Sequence, residues 1–290
     1  MTSVVIAAHN EAAVIERCLG SLLADAATGE FDVIVVANGC SDDTATLAAR
    51  RPGVRVVEIP EASKPKALNA GDSIAAGFPR VYLDADIVAG THVVRALRDA
   101  LAAEAPPPVP LAVVPRRDLE LTGRSFLVRQ FFAINSRLPV FHEGLFGRGL
   151  IALSAEGRRR FDRFPDMVAD DLFLDSQFAP QEKREVDEVS TVVEVPLHTR
   201  DLVRRLVRVR RGNASLRAAD RSGRIAGKVR RVDRFAWLRD VVIPNPRLAP
   251  AGVVYAGITS LAALLALRPP AEGRAWGRDE STRRALRADG

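Results

Sequence analysis

The chain reads as an α/β fold: a doubly wound, mostly parallel sheet with helices on both faces, followed by a basic and apolar helical extension. Three observations lead there. Short, nearly all-apolar runs alternate with helix-periodic segments through the first hundred residues, the order that parallel strands and crossover helices produce. The loops after those runs are polar and rich in Asp, Asn and Lys. The composition, 290 residues of which 47% are hydrophobic and 27% charged, suits a packed domain and excludes a disordered or collagen-like chain.

Val4 to Ala8 is the first strand, and Asn10 is placed to cap a helix whose apolar residues Val14, Ile15, Cys18, Leu19, Leu22 and Leu23 recur at helical spacing. Phe31 to Ala37 is almost wholly apolar, as a strand buried on both faces should be, and the turn formers Asn38-Gly39 and helix starters Ser41, Asp42 and Asp43 follow it. Val54 to Ile59 is a third strand, and Val81-Tyr82-Leu83 a fourth that ends in Asp84-Ala85-Asp86. Helix-compatible sequence from Thr91 to Glu104 gives way to Pro106-Pro107-Pro108-Val109-Pro110, a stiff seam that cannot be helical. Leu111 to Pro115 and Val189 to Val195 are further strands, and Gly144, Gly147 and Gly149 imply a tight backbone path between them. The expected division is 1–105, a ligand-binding half; 106–199, the second half of the same domain; and 200–290, the extension.

Charge is unevenly placed. The chain carries net +6, yet Arg200 to Arg239 holds 14 Lys/Arg and 3 Asp/Glu, so this one segment should face something anionic. Within it Leu202, Val203, Leu206, Val207 and Val209 make one helical face and Arg204, Arg208 and Arg211 another, with a stop expected at Gly212. Leu248 to Leu267 then runs for 20 residues without a charge, long enough to span a bilayer, lie in its surface or serve as a packed helix. With 2 Cys and 4 His there is neither a disulfide framework nor a Cys/His zinc cluster, so a metal would rely mainly on carboxylates. The N-terminus lacks the basic start and cleavage site of a secretory signal, and the expected location is the cytoplasm.

In an open parallel sheet ligands bind beyond the carboxyl ends of the strands. The loops there read His9-Asn10-Glu11, Asn38 to Asp43, Lys64-Pro65-Lys66 and Asp84-Ala85-Asp86. Alternating carboxylates at a strand end offer oxygens to a hard cation that also bridges two phosphates. Lys64 and Lys66 stand at a helix start, where cations oppose the macrodipole unless an anion is near, so a phosphate-bearing ligand fits. Asp170-Asp171 lies between apolar residues, a setting that raises one of two like charges and helps it accept a proton, while helix capping by Asp170 is compatible with that role. His198, just past a strand, is either a structural residue or a metal ligand. No GxGxxG follows the first strand and no GxxxxGK[ST] occurs, which weighs against dinucleotide enzymes and P-loop NTPases.

Taken in order, these motifs resemble those of family 2 glycosyltransferases with the GT-A fold over roughly residues 3 to 215. Val4 to Glu11 is similar to the opening strand and nucleotide-contacting loop, Ala37 to Thr44 to the base-binding loop, and Lys64 to Gly71 to the Lys…Ala-x-Asn-x-Gly helix start. Asp84-Ala85-Asp86 is similar to the DxD metal motif and Asp170-Asp171 to the acidic pair that carries the base, while Arg208, Arg211 and Gly212 resemble the Q-x-x-R-W segment without its tryptophan. An Ala37-Asn38 pair stands where an acidic pair is usual, and the missing tryptophan argues against a processive synthase.

The resemblance implies inverting transfer of a single sugar from a nucleotide-diphosphate sugar to a hydroxyl acceptor. It places Asp171 as base with Asp170 tuning it; Asn10, Glu11, Asn38, Lys66 and Asp84 on the donor; Arg148, Arg208 and Arg211 near the acceptor or diphosphate; and Mg²⁺ or Mn²⁺ on Asp86 and Asp84, with His198 a further ligand. The basic segment and apolar run point to a lipid-linked or cell-envelope acceptor and a membrane surface at the inner face of the cell. Its few aromatics leave no stacking platform for nucleic acid. A nucleotidyltransferase of related fold and a non-catalytic nucleotide-sugar scaffold are the alternatives.

Overall fold

A computed structural model describes residues 1–103, 108–167, 169–225, 229–230 and 232–268. The start of the proline seam at 106–107, the expected 105/106 boundary, Val168 and the chain beyond Arg268 lie outside the described residues. The strands are β1 (Thr2–Ala8), β2 (Phe31–Asn38), β3 (Val54–Ile59), β4 (Arg80–Asp84), β5 (Ala112–Glu120), β6 (Leu150–Leu153) and β7 (Lys183–Glu194). The helices are α1 (Ile15–Leu22), α2 (Thr44–Ala49), α3 (Lys64–Ile74), α4 (Thr91–Ala102), α5 (Phe126–Asn135), α6 (Pro139–Glu143), α7 (Ala155–Arg158), α8 (Asp170–Ser176), α9 (Thr199–Arg221) and α10 (Ala249–Ala266).

All seven strands form one sheet in the order β3-β2-β1-β4-β6-β5-β7. β1 pairs in parallel with β2 and β4, and β2 with β3, while β6 runs antiparallel to β4 and β5. The first three strands build outward on one side of β1 and the fourth is laid down on the other. The gap between the ends of β1 and β4 is therefore the topological switch point, where an open sheet leaves a crevice for ligand. The register sets Ala7 beside Asp84 and Ala8 beside Ala37, which brings the loops after β1, β2 and β4 to one edge.

Burial on both faces explains the apolar runs: Val4, Val5 and Ile6 in β1 and Ile34, Val35 and Val36 in β2 are fully buried. Gly71 in α3 is a packing requirement, because a Cβ there would stand 2.4 Å from Val5 Cγ1. Asn69, two residues earlier on the same helix, holds Phe164 by both backbone groups: its Nδ2 donates to the carbonyl and its Oδ1 accepts from the N–H.

The chain divides into two units that do not follow the expected boundaries. The first contains Met1–Asp118 and Gly144–Val193, and the second contains Leu119–Glu143, Glu194–Arg224 and the described residues from Val229 onward. The second unit is helical. α10 packs on α5 and α9 through Val128, Phe131, Leu202, Val203 and Ile258, with the Phe131 and Tyr255 rings stacked at 4.9 Å. Its basic helix runs past the expected stop, because Gly212 is buried inside α9. The true terminator is Gly223 at φ 67°: its N–H donates to the Asp220 carbonyl and that of Arg224 to the Ala219 carbonyl, the paired bonds of a Schellman cap.

Candidate active site

Asp84 ends β4 at the switch point, and its backbone N–H donates to the Gly149 carbonyl at 2.8 Å. Gly149 has φ 66°, and a Cβ there would stand 2.3 Å from Ile87 Cγ1 and 3.3 Å from Asp84 Oδ2. Only glycine allows the backbone this close to the carboxylate. Across the crevice α8 begins with Asp170 and Asp171, anchored from behind. Phe173 meets the Phe161 ring edge-on at 5.3 Å, and buried Asp175 accepts from the Leu145 N–H and pairs with Lys183 at 2.8 Å.

Lys64, the first residue of α3, joins the two sides. Its Nζ lies 2.6 Å from Asp84 Oδ1 and 2.7 Å from Asp170 Oδ2. Asp171 Oδ2 accepts from the Gly147 N–H at 3.3 Å. Burial works against the charge on Lys64, yet Asp170, Asp84 and Asp171 together hold its ammonium well above the usual lysine range. Burial raises Asp84; Lys64 draws it down, while Asp171 and Asp86 push it up again. Burial and then the neighbouring Asp170 charge push Asp171 up to about 6, against the pull of Lys64 and the Gly147 N–H. A carboxylate tuned to that range is ionised at neutral pH and still basic enough to take a proton from an attacking hydroxyl.

The β1 and β2 loops are tied together beside this cluster. Asn10 sits at φ 54°, in the left-handed region that Asn tolerates, and its Oδ1 accepts from the Ser41 N–H at 2.7 Å. That conformation turns the chain instead of capping α1, which starts at Ile15. The Glu11 N–H donates to Thr44 Oγ1, and Asp42 accepts from the N–H groups of Ala12 and Thr44. The Asn38 amide is buried and donates to the Ala8 carbonyl at 2.8 Å, so it fixes the strand ends instead of reaching outward for a base.

Other expectations shift for local reasons. Lys66 is exposed and paired with Glu61, and Lys64 is the lysine that enters the crevice. Residues at the first and third positions of a helix point to different sides, and which of the two faces the crevice depends on how α3 packs on the sheet. Arg148 is fully buried; it donates to the Gly144 and Phe146 carbonyls and pairs with Glu185, so it braces the glycine loop and has no exposed donor for an acceptor or diphosphate.

Asp86 is exposed beside Asp84 and contributes to its raised pKa. His198, Arg208 and Arg211 belong to the second unit, where the His198 carbonyl opens α9 and Arg211 donates to the carbonyls that end α10. Among the described residues no group of three or more His, Cys, Asp or Glu side chains forms a metal centre. The donor chemistry nevertheless suits a hard cation: carboxylate oxygens converge on a single positive charge, now the Lys64 ammonium.

The seven-stranded sheet in this strand order has a GT-A-type fold. Residues 3–124 match the family described as Glycosyl transferase family 2, and the protein is a glycosyltransferase. The fold is similar to that of mannosyltransferase PcManGT from Pyrobaculum calidifontis, solved with GDP-Man and Mn²⁺, at 22% identity and TM-score 0.60 over 100% of this chain and 79% of that one. It is also similar to glucosyl-3-phosphoglycerate synthase from Mycobacterium tuberculosis, solved with Mn²⁺, UDP-Glc and phosphoglyceric acid, at 22% identity and TM-score 0.53 over 77% and 80% of the two chains. Staphylococcus aureus TarS 1-349 with UDP-GlcNAc gives 18% identity and TM-score 0.50 over 67% and 58%. The curated proteins give no match to the chain.

Proposed function

We propose that this glycosyltransferase moves a single sugar from a nucleotide-diphosphate sugar to a hydroxyl acceptor with inversion at the anomeric carbon, in the cytoplasm. The observation that carries the reading is Lys64, 2.6 Å from Asp84 and 2.7 Å from Asp170, which joins the strand-end carboxylate to the pair containing Asp171, whose carboxyl burial pushes up to about 6. The acceptor oxygen bonds to the anomeric carbon as the bond to the diphosphate breaks. The hydroxyl proton passes to Asp171, and the nucleoside diphosphate departs with the electron pair of the broken bond. One carboxylate suffices, unlike the two that a glycosidase needs.

Asp170, paired with Lys64, keeps negative charge beside Asp171 and so keeps it basic. Asp84 and Asp86 would hold Mg²⁺ or Mn²⁺, which supplies charge neutralisation to the departing diphosphate when bound. Asn10 and Glu11 shape the nucleoside loop, and Asn38 ties the ends of β1 and β2 beneath it. The Mn²⁺ and nucleotide sugars of the similar structures support this reading. Asp171→Asn tests it: retained donor binding with turnover down by about 10²–10⁴-fold supports the base assignment, and unchanged turnover removes it. The arginine-rich second unit supports a lipid-linked or cell-envelope acceptor at a membrane surface.

A further inference from the structure

We infer that the second unit is a docking module that lays α10 flat in the interfacial layer of an anionic lipid bilayer. This deepens the membrane-surface part of the proposed function, and its test reads binding instead of turnover, so its failure leaves sugar transfer standing. α10 and its C-cap expose a single apolar stripe: Val253 is 73%, Leu261 47%, Leu264 65% and the capping Leu267 83% exposed, at helical spacing. Ala251, Ile258 and Ala262 on its other side are buried. The segment leading into the helix adds exposed Phe235 and Ile243.

The helix is long and apolar enough to cross a bilayer, yet it packs on α9, which carries Arg204, Arg205, Arg208, Arg210 and Arg211. A span would draw guanidinium groups into hydrocarbon, whereas a helix lying in the surface immerses one stripe and leaves them at headgroup level.

Charge names the occupant. Exposed Arg247 precedes α10 and exposed Arg268 follows it, and Arg211 donates to the Leu265, Ala266 and Arg268 carbonyls at its end. Along α9, Arg217 Nε is buried without a hydrogen-bond partner. Burial, then the charges of Arg210 and Arg221, hold that guanidinium below the usual arginine range. Lipid phosphate oxygens offset the mutual repulsion of Arg210, Arg217 and Arg221.

The test is flotation of the full chain with vesicles of phosphatidylcholine alone and of equimolar phosphatidylcholine and phosphatidylglycerol. Binding is expected with the anionic vesicles only. The double variant Leu261→Glu, Leu264→Glu should lose it at unchanged Tm, and Arg217→Gln with Arg221→Gln should weaken it by about tenfold. Absence of flotation with anionic vesicles overturns the proposal, as does undiminished flotation of the leucine variant. A dimer in light scattering that the leucine variant dissolves assigns the stripe to a second copy, and protein released only by detergent after a carbonate wash assigns α10 to a span; either result also overturns it.

Discussion

Lys64 Nζ lies 2.6 Å from Asp84 Oδ1, so the first residue of α3 neutralises the last residue of β4 across the switch point of the sheet. The same ammonium lies 2.7 Å from Asp170 Oδ2, which couples the strand-end carboxylate to the acidic pair on α8. Lys64→Met deletes the positive charge while keeping the length of the side chain. With that counter-charge gone, the ionised forms of Asp84 and Asp171 are disfavoured and both pKa values rise. The acid limb of the pH–rate profile should move to higher pH; an unmoved limb would separate Lys64 from the titrating group.

Asp171, raised to about 6, should set that acid limb in the wild type. Turnover is expected to climb with pH through about 6 and level off above it. In stability the sign is opposite. A carboxyl whose folded pKa exceeds its unfolded value binds protons more tightly when folded, so stability falls as pH rises from the unfolded pKa through the folded one. Asp171→Asn removes this cost, and its Tm at pH 7 should exceed that of the wild type by a few degrees, an advantage that vanishes below about pH 4. Thermal scans at the two pH values check this, and a variant less stable at neutral pH contradicts it.

Asp72 is the centre of a buried cluster: it accepts from Arg80 Nη1 at 2.7 Å, from Arg158 Nε at 2.8 Å and from the Tyr82 hydroxyl at 2.8 Å. Asp72→Ala strands two guanidinium groups and should cost about 3–5 kcal/mol. Urea unfolding measures it, and a loss below about 1 kcal/mol would show that the arginines find water or other partners.

Gly149→Ala combines a side chain at φ 66° with a Cβ 2.3 Å from Ile87 and 3.3 Å from Asp84. The expected outcome is a loss of about 1–3 kcal/mol in stability together with a fall in kcat that exceeds the rise in KM. A variant with normal kinetics would show that the glycine loop can shift without moving Asp84.

The repetitive part of this fold was legible and the corners were not. Val54–Ile59 was located to the residue because a buried strand has little freedom of composition, and the switch-point loops followed from the strand order that the alternation implies. Asp84 and the Asp170-Asp171 pair were readable because charges at the edge of apolar runs have few structural explanations. The exchange of Lys64 for Lys66 was not, since it depends on the direction in which two residues of a single helical turn project. Nor was the burial of Arg148, whose partner Glu185 is distant in sequence. Gly212 reads as a stop and Gly223 as one more turn residue; tertiary packing reversed the two. The second unit is discontinuous because β5 and β7 each lead out of the sheet into helices, a crossing that no local signal marks.

In the proposed function Asp171 takes the acceptor proton while Asp84 and Asp86 serve the diphosphate of a nucleotide sugar. The most direct test is donor turnover with UDP-, GDP- and dTDP-sugars, each with and without Mn²⁺, on wild type and Asp171→Asn side by side. One donor class is expected to be turned over only with the metal, and the Asn variant to bind this donor with turnover down by about 10²–10⁴-fold. Metal-independent turnover, or an Asn variant as fast as the wild type, would contradict it.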